Sequence, residues 1–207
     1  MSIVCVTDAE LVARAREGDP AAFGELVDRH RVAVYRAALA ALGSHTEAED
    51  AAQEAFLSAF RRLDSFRGDA SFKTWLLTIA WHEAINTRRG LKRMWRHMVE
   101  PRRGDYSDQG YDGQGDALAS IAAGAATPEQ QAAYQGLSRA IRRIIRGLPP
   151  KLRDTLLLAQ SGDYSYDEIS AMLGAPLGTI KWRVSEARRL VRSSLREEGF
   201  GDVAVRR

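Results

Sequence analysis

"LGAPLGTIKWRVSEARRLV", residues 173–191, carries two signals in one short stretch. It opens on a glycine and a proline, which break helices, and continues as a basic segment. In that segment Ile180, Val184, Ala187 and Val191 fall at i, i+4, i+7 and i+11, the spacing of one buried stripe on an α-helix. Lys181, Trp182, Arg183, Ser185, Glu186 and Arg189 are left for the outward face. Just upstream, Ser165 and Glu168 form a capping box for "YDEISAMLG", and Gly174 supplies its stop. A capped helix, a glycine turn and a basic helix make a helix-turn-helix.

The charge on this last helix is one-sided. From 181 to 196 there are six basic residues (Lys181, Arg183, Arg188, Arg189, Arg192, Arg196) and one acid, Glu186. A helix that enters the major groove needs cations for phosphates and directional donors or acceptors for base edges. A solvated helix of a bundle carries the same charges, and the preceding capped helix and turn weigh against it.

Outward from this stretch, the apolar residues keep recurring at three and four, and strand-like alternation is nearly absent. The expected fold is all-α. Thr127, Pro128 and Gln130 offer an N-cap, a first-turn proline and a capping partner for a helix ending near "GLPP" (147–150), and "LRDTLLLAQSGDYS" gives another. Before them, residues 104–127 hold five glycines, four aspartates and no Lys or Arg, a mixture that reads as a flexible linker.

The N-terminal block opens with "DAELVARAREGDPAAFGELVDRHRVAVYRAALAALG", broken into two helices at Gly18 and Pro20, with Phe23, Leu26, Val27, His30, Val34 and Ala38 at helical spacing. Thr46 and Glu49 read as a capping box for the next helix, whose buried stripe is Ala48, Ala52, Ala55, Ala59 and Leu63. A further helix is expected from about Phe72 to Arg89, with Phe72, Leu76, Ile79 and Ala80 inward. Between Trp81 and Arg103 seven basic residues face two acids, Glu83 and Glu100. That imbalance is a candidate phosphate-binding footprint.

Composition bounds the function. The chain has 207 residues, 45% of them hydrophobic and 28% charged, which suits folded, core-forming segments. The formal net charge is only +3, so the local clusters carry the argument. Cys5 is the single cysteine, which excludes an internal disulfide framework and reads as an inert thiol. No apolar run approaches a membrane span and the N-terminus lacks a basic flank and cleavage signature, so no membrane insertion and a cytoplasmic location are expected. His30, His45, His82 and His97 are scattered without metal-ligand or dyad spacing, and no glycine loop with a following lysine is present. "GDYSDQGYDGQGD" resembles a calcium loop only in composition. Catalytic residues, metals and cofactors are therefore all expected to be none.

Residues 148–192, "LPPKLRDTLLLAQSGDYSYDEISAMLGAPLGTIKWRVSEARRLVR", resemble region 4 of the extracytoplasmic-function (group IV) bacterial sigma factors. The match lies in the Leu-Pro start, "SYDEI", the "LG.P.GTIK.R" run and the "ARRLV" ending. Residues 47–90, "EAEDAAQEAFLSAFRRLDSFRGDASFKTWLLTIAWHEAINTRRG", resemble region 2 of the same family. The resemblance implies a region 2 at 8–103 that binds core RNA polymerase and reads and melts the minus-10 element, a linker at 104–127, and a region 4 at 128–200 that reads the minus-35 element. Core RNA polymerase and promoter DNA are the implied partners, with an anti-sigma factor as a family expectation. The rival is a helix-turn-helix regulator acting without core polymerase, but such a regulator would carry a receiver or ligand-binding domain with a strand pattern, and the sequence shows none. A protein-only adaptor leaves both basic patches unexplained.

Residue roles follow from the same resemblance. Asp50, Gln53 and Glu54, opposite the alanine stripe, with Leu57 and Arg61 continuing the face, fall where the family docks on the polymerase. Trp81, His82, Asn86, Arg88 and Arg89 fall in the minus-10 reading part, with Phe66 and Trp75 as further aromatic candidates and Trp75 read as structural. Thr179, Lys181, Trp182, Arg183, Ser185, Glu186, Arg188 and Arg189 fall in the minus-35 reading helix. The chain departs from the common family pattern at Trp81, His82 and Asn86, and again at Trp182 and Glu186.

Overall fold

The computed structural model describes residues 6–98 and 128–200. All regular structure among them is helical, in the order α1 (Asp8–Arg16), α2 (Pro20–Leu42), α3 (His45–Arg61), a 3-10 turn (Leu63–Ser65), α4 (Phe72–Met98), α5 (Pro128–Gly147), α6 (Pro150–Gln160), α7 (Tyr166–Leu173) and α8 (Leu177–Glu197). The helices form two compact units. Cys5, the 104–127 linker, the Thr127 cap, Arg102 and Arg103 lie outside the described residues.

In the first unit α2, α3 and α4 pack on one another and α1 lies on α2. The breaks are local. Thr7 and Glu10 close a capping box on α1, Thr7 N–H donating to Glu10 Oε2 at 2.7 Å, and that bond holds the Glu10 carboxyl below its ordinary pKa. Gly18, at φ +92°, turns the chain, and Asp19 caps α2 ahead of Pro20. The stripe is as expected: Ala48, Ala52, Ala55 and Ala59 of α3 and Leu63 of the 3-10 turn are all buried, as are Ala37, Ala38 and Ala41 of α2 and Leu76, Leu77 and Ala80 of α4, the helices that pack on α3. Small side chains let helix axes approach closely.

Two expectations for this unit are corrected. Helix α3 is capped by Ser44, whose Oγ accepts from Glu47 N–H, rather than by Thr46 with Glu49. The cause is Gly43, which ends α2 in the left-handed conformation at φ +73°, so the first hydroxyl after it takes the cap. Helix α4 runs to Met98, past the expected end near Arg89, because Gly90 keeps helical geometry and no proline or left-handed residue intervenes. Three side chains, Arg16, Ser58 and Arg88, brace the unit. Arg16 Nη2 donates to Leu63 O at 2.9 Å and also reaches Phe66 O, Ser58 Oγ donates to Glu83 Oε1 at 3.1 Å, and Arg88 Nη1 donates to Ala41 O at 3.2 Å.

In the second unit α6 and α5 pack on α8. Leu148, Leu152, Leu156 and Ala187 form a buried cluster, with Ile145, Leu190 and Val191 against it. The helix-turn-helix is built as the pattern requires. Ser165 N–H donates to Glu168 Oε2 at 2.8 Å and Glu168 N–H to Ser165 Oγ at 3.2 Å. Ile169 and Met172 of α7 are fully buried, Gly174 turns at φ +57°, and Ser170 Oγ donates to Ala175 O at 2.5 Å to fix the turn. Ile180, Val184 and Ala187 of α8 are buried and Val191 is partly so.

Candidate functional site

On α8 the buried stripe leaves a broad outward face. Trp182, 61% exposed, is at its centre, flanked by exposed Lys181, Ser185, Arg188 and Arg189. Thr179 and Arg183 are half-buried at its margin. Glu186 is bound side-on by Arg189: Nε donates to Oε2 at 2.8 Å and Nη2 to Oε1 at 2.7 Å. That bond lowers the Glu186 carboxyl pKa and raises that of the Arg189 guanidinium. Both side chains therefore stay ionised, and each has spent two hydrogen bonds before any partner arrives. A carboxylate keeps further acceptor sites and a guanidinium further donors, so the pair is a pre-aligned donor-acceptor unit beside the indole. The eight residues expected on this helix come together on one surface, with Thr179 and Arg183 at its edge.

Helix α3 presents a surface of different chemistry. Asp50, Gln53, Glu54, Leu57 and Arg61 are all exposed, and Arg61 Nη1 lies 3.4 Å from Glu54 Oε1. Leu57 is 44% exposed. Phe60, 53% exposed and edge-on to Phe23 with ring centroids 4.9 Å apart, lies on the same side. Phe60 was missed in the sequence because an aromatic beside Ala59 reads as core. Its spacing, three residues after Leu57 and seven after Gln53, was the available signal. Half-buried Glu47 has its pKa raised by desolvation and then by the charge of Asp50. The face is thus apolar at its C-terminal end and acid-rich at its N-terminal end.

On α4 His82, Asn86 and Arg89 are exposed at i, i+4 and i+7, and Arg93 extends the stripe at i+11. Arg93 was counted among the basic residues between Trp81 and Arg103 but was not placed with the minus-10 residues. Trp81 is corrected: only 3% of it is exposed, so its ring belongs to the core shared by α2, α3 and α4 and presents no surface to a base. Arg88 is half-buried and its guanidinium serves the free carbonyl of Ala41 near the end of α2. Phe66, Phe72 and Trp75 form a three-ring cluster, with centroids 5.3 to 5.8 Å apart. Phe72 is buried and the other two are half-buried, so Trp75 packs within this cluster.

His30 packs beside Phe72 and its Nε2 is 2.7 Å from Asp8 Oδ2, which ties α1 to α2. No group of three or more His, Cys, Asp or Glu suited to a metal occurs among the described residues. No described helix is long and apolar enough to cross a membrane.

Residues 26–94 match the Sigma-70 region 2 family and residues 138–191 the Sigma-70 region 4 family. The chain is 34% identical over 194 residues to the ECF RNA polymerase sigma-E factor of Escherichia coli, covering 90% of this chain and 93% of that one. It is 33% identical over 188 residues to the ECF RNA polymerase sigma factor SigW of Bacillus subtilis, covering 90% and 95%. Among solved structures, it is similar to CnrH in complex with the cytosolic domain of CnrY, at a TM-score of 0.59 and 25% identity over 92% of this chain and 98% of that chain. The fold is also that of RpoE from Bartonella quintana, solved with the anti-sigma factor NepR, at a TM-score of 0.55 and 22% identity over 84% and 96%.

Proposed function

The chain belongs to the extracytoplasmic-function group of RNA polymerase sigma factors, and from that premise we propose how its exposed faces divide the work of initiation. As a transcription initiation factor it binds core RNA polymerase and directs it to promoters. The α3 face of Asp50, Gln53, Glu54, Leu57, Phe60 and Arg61 is the polymerase-docking surface. An exposed aromatic and leucine ringed by charges is the composition of an interface core and rim.

The α4 stripe of His82, Asn86, Arg89 and Arg93 contacts the minus-10 element. Cations hold backbone, while the imidazole and amide supply directional bonds. The α8 face reads the minus-35 element: Trp182, Ser185 and Glu186 reach base edges, and Lys181, Arg183 and Arg188 grip phosphate. The domain division at 8–103, 104–127 and 128–200 goes with this assignment. No chemistry is asked of the chain itself, which works in the cytoplasm beside the polymerase. An anti-sigma factor is a further partner, since two structural neighbours were each solved with a binding protein.

One observation carries the reading: a single chain holds an acid-rich, part-apolar helix face in one unit and a basic reading helix in the other. A regulator that acts alone has no use for the first. Multi-round transcription by core polymerase on a candidate promoter library, with and without the full chain, tests it. Promoter-dependent transcripts are expected only with the chain. Absence of core binding in gel filtration, with sequence-specific duplex binding retained, would favour the lone regulator instead.

A further inference from the structure

Lys181, Arg188, Arg192 and Arg196 are spaced seven, four and four residues apart on α8. At 3.6 residues per turn they stay within about 80° of one another, along about 22 Å of helix. All four are exposed. None has an ion-pair partner among the described residues, whereas Arg189 is held by Glu186 and Arg143 by Glu198. The carboxylates of α8 lie toward the other edge: Glu186 engages Arg189, and Glu197 accepts from Ser193 Oγ at 3.1 Å. The helix is cationic along one side for most of its length.

We infer that this edge is a phosphate-binding ridge, in which Arg192 and Arg196 hold duplex DNA backbone beyond the turns that read bases. The inference rests on the minus-35 reading given above for α8. Like charges at i, i+4 destabilise a helix, and a row of phosphates relieves that repulsion. The three distal positions are arginines, whose planar fork matches phosphate oxygens. A straight helix of 21 residues is about 31 Å long, whereas the major groove is only about 12 Å wide. The first turns can meet base edges, and the last turns must pass over the rim of the groove, where the phosphates are. Continuity with Lys181 and Arg188 selects DNA over an acidic protein as the occupant.

The test uses holoenzyme assembled from core polymerase and the full chain, titrated on a promoter duplex over a salt series. For Arg192→Gln/Arg196→Gln the slope of log affinity against log salt should become shallower by about 0.9 per lost contact, or about 1.8 in all, with the preference among minus-35 sequences unchanged. Arg139→Gln, exposed on α5, should leave the slope as it is. An unchanged slope for the double variant, in a holoenzyme that forms and transcribes, would overturn the ridge alone and hand this edge to an acidic protein partner. A changed base preference without a changed slope would overturn it too. Failure of the wild-type chain to bind core polymerase would overturn the sigma-factor assignment of α8, and the ridge with it.

Discussion

Two tryptophans, Trp81 on α4 and Trp182 on α8, were both read as groups that meet DNA, and the structure treats them oppositely. Trp81 is 3% exposed and Trp182 61%. Helix α4 packs against α2 and α3, and Trp81 lies on its buried side, whereas His82, Asn86, Arg89 and Arg93 stay exposed. Helix α8 buries one stripe against α5 and α6 and leaves the rest to solvent. The same residue type with similar basic neighbours is a structural group on one helix and a surface group on the other. Local sequence reports the side-chain chemistry; the number of helices packed around the position decides whether that chemistry can be used.

The contrast can be broken most directly by removing each indole. Trp81→Ala should leave a cavity among α2, α3 and α4 and cost about 3–5 kcal/mol of stability, seen as a large fall in the urea midpoint. Trp182→Ala should stay within about 0.5 kcal/mol of wild type. Equal losses in the two variants would erase the distinction between core and surface.

The next effect belongs to the α3 face. Phe60→Ala together with charge reversal at Asp50 and Glu54 should cost at least about 2 kcal/mol of core-polymerase affinity if the face is a docking hot spot, while circular dichroism stays unchanged. Full affinity in a core-binding titration would remove α3 from the interface.

A smaller effect separates the two kinds of contact on α8. Lys181→Ala should weaken binding to all promoters and flatten the salt slope by about one unit. Trp182→Ala should instead change preference at one minus-35 position, by about 1–3 kcal/mol at most. Glu186→Ala sharpens this: because Arg189 already holds Glu186, its loss should both free a guanidinium and relax one base preference in a binding-site selection. An identical consensus would leave the pair a purely local contact.

The smallest effect is on stability against pH. Desolvation and Asp50 raise the Glu47 carboxyl in the folded chain, so the folded state holds this proton more tightly than the unfolded state does. Stability from this group is therefore full in acid and declines as pH rises through the raised value. Glu47→Gln should raise the melting temperature slightly near neutral pH, with the gain vanishing below the ordinary carboxylate range. A gain that persisted in acid would point to packing rather than charge.

Much of this was legible before any coordinates. The stripes on α3 and α8, the break at Gly18 and Pro20, the Ser165–Glu168 box and the turn at Gly174 are all set by residues within a few positions of one another, and periodicity and capping chemistry report them. The α3 cap was misread because "SHTEAE" offers two overlapping solutions, and the conformation of Gly43 chooses between them. The outward acids of α3 were also readable, because alanines marked the inward side so clearly.

What periodicity could not carry was the environment of each exposed-looking residue. Phe60, not singled out in the sequence, is half open to solvent, and Trp81, read as a DNA contact, is enclosed. Arg88, read as a phosphate cation, donates to a carbonyl 47 positions away in sequence. The sequence by itself determined the helices, their caps and the sign of charge along them, since these depend on interactions spanning one or two turns. Only the tertiary structure decided which side chains remain free to meet polymerase or DNA, because burial and long-range hydrogen bonds are made by partners that come together when the helices pack.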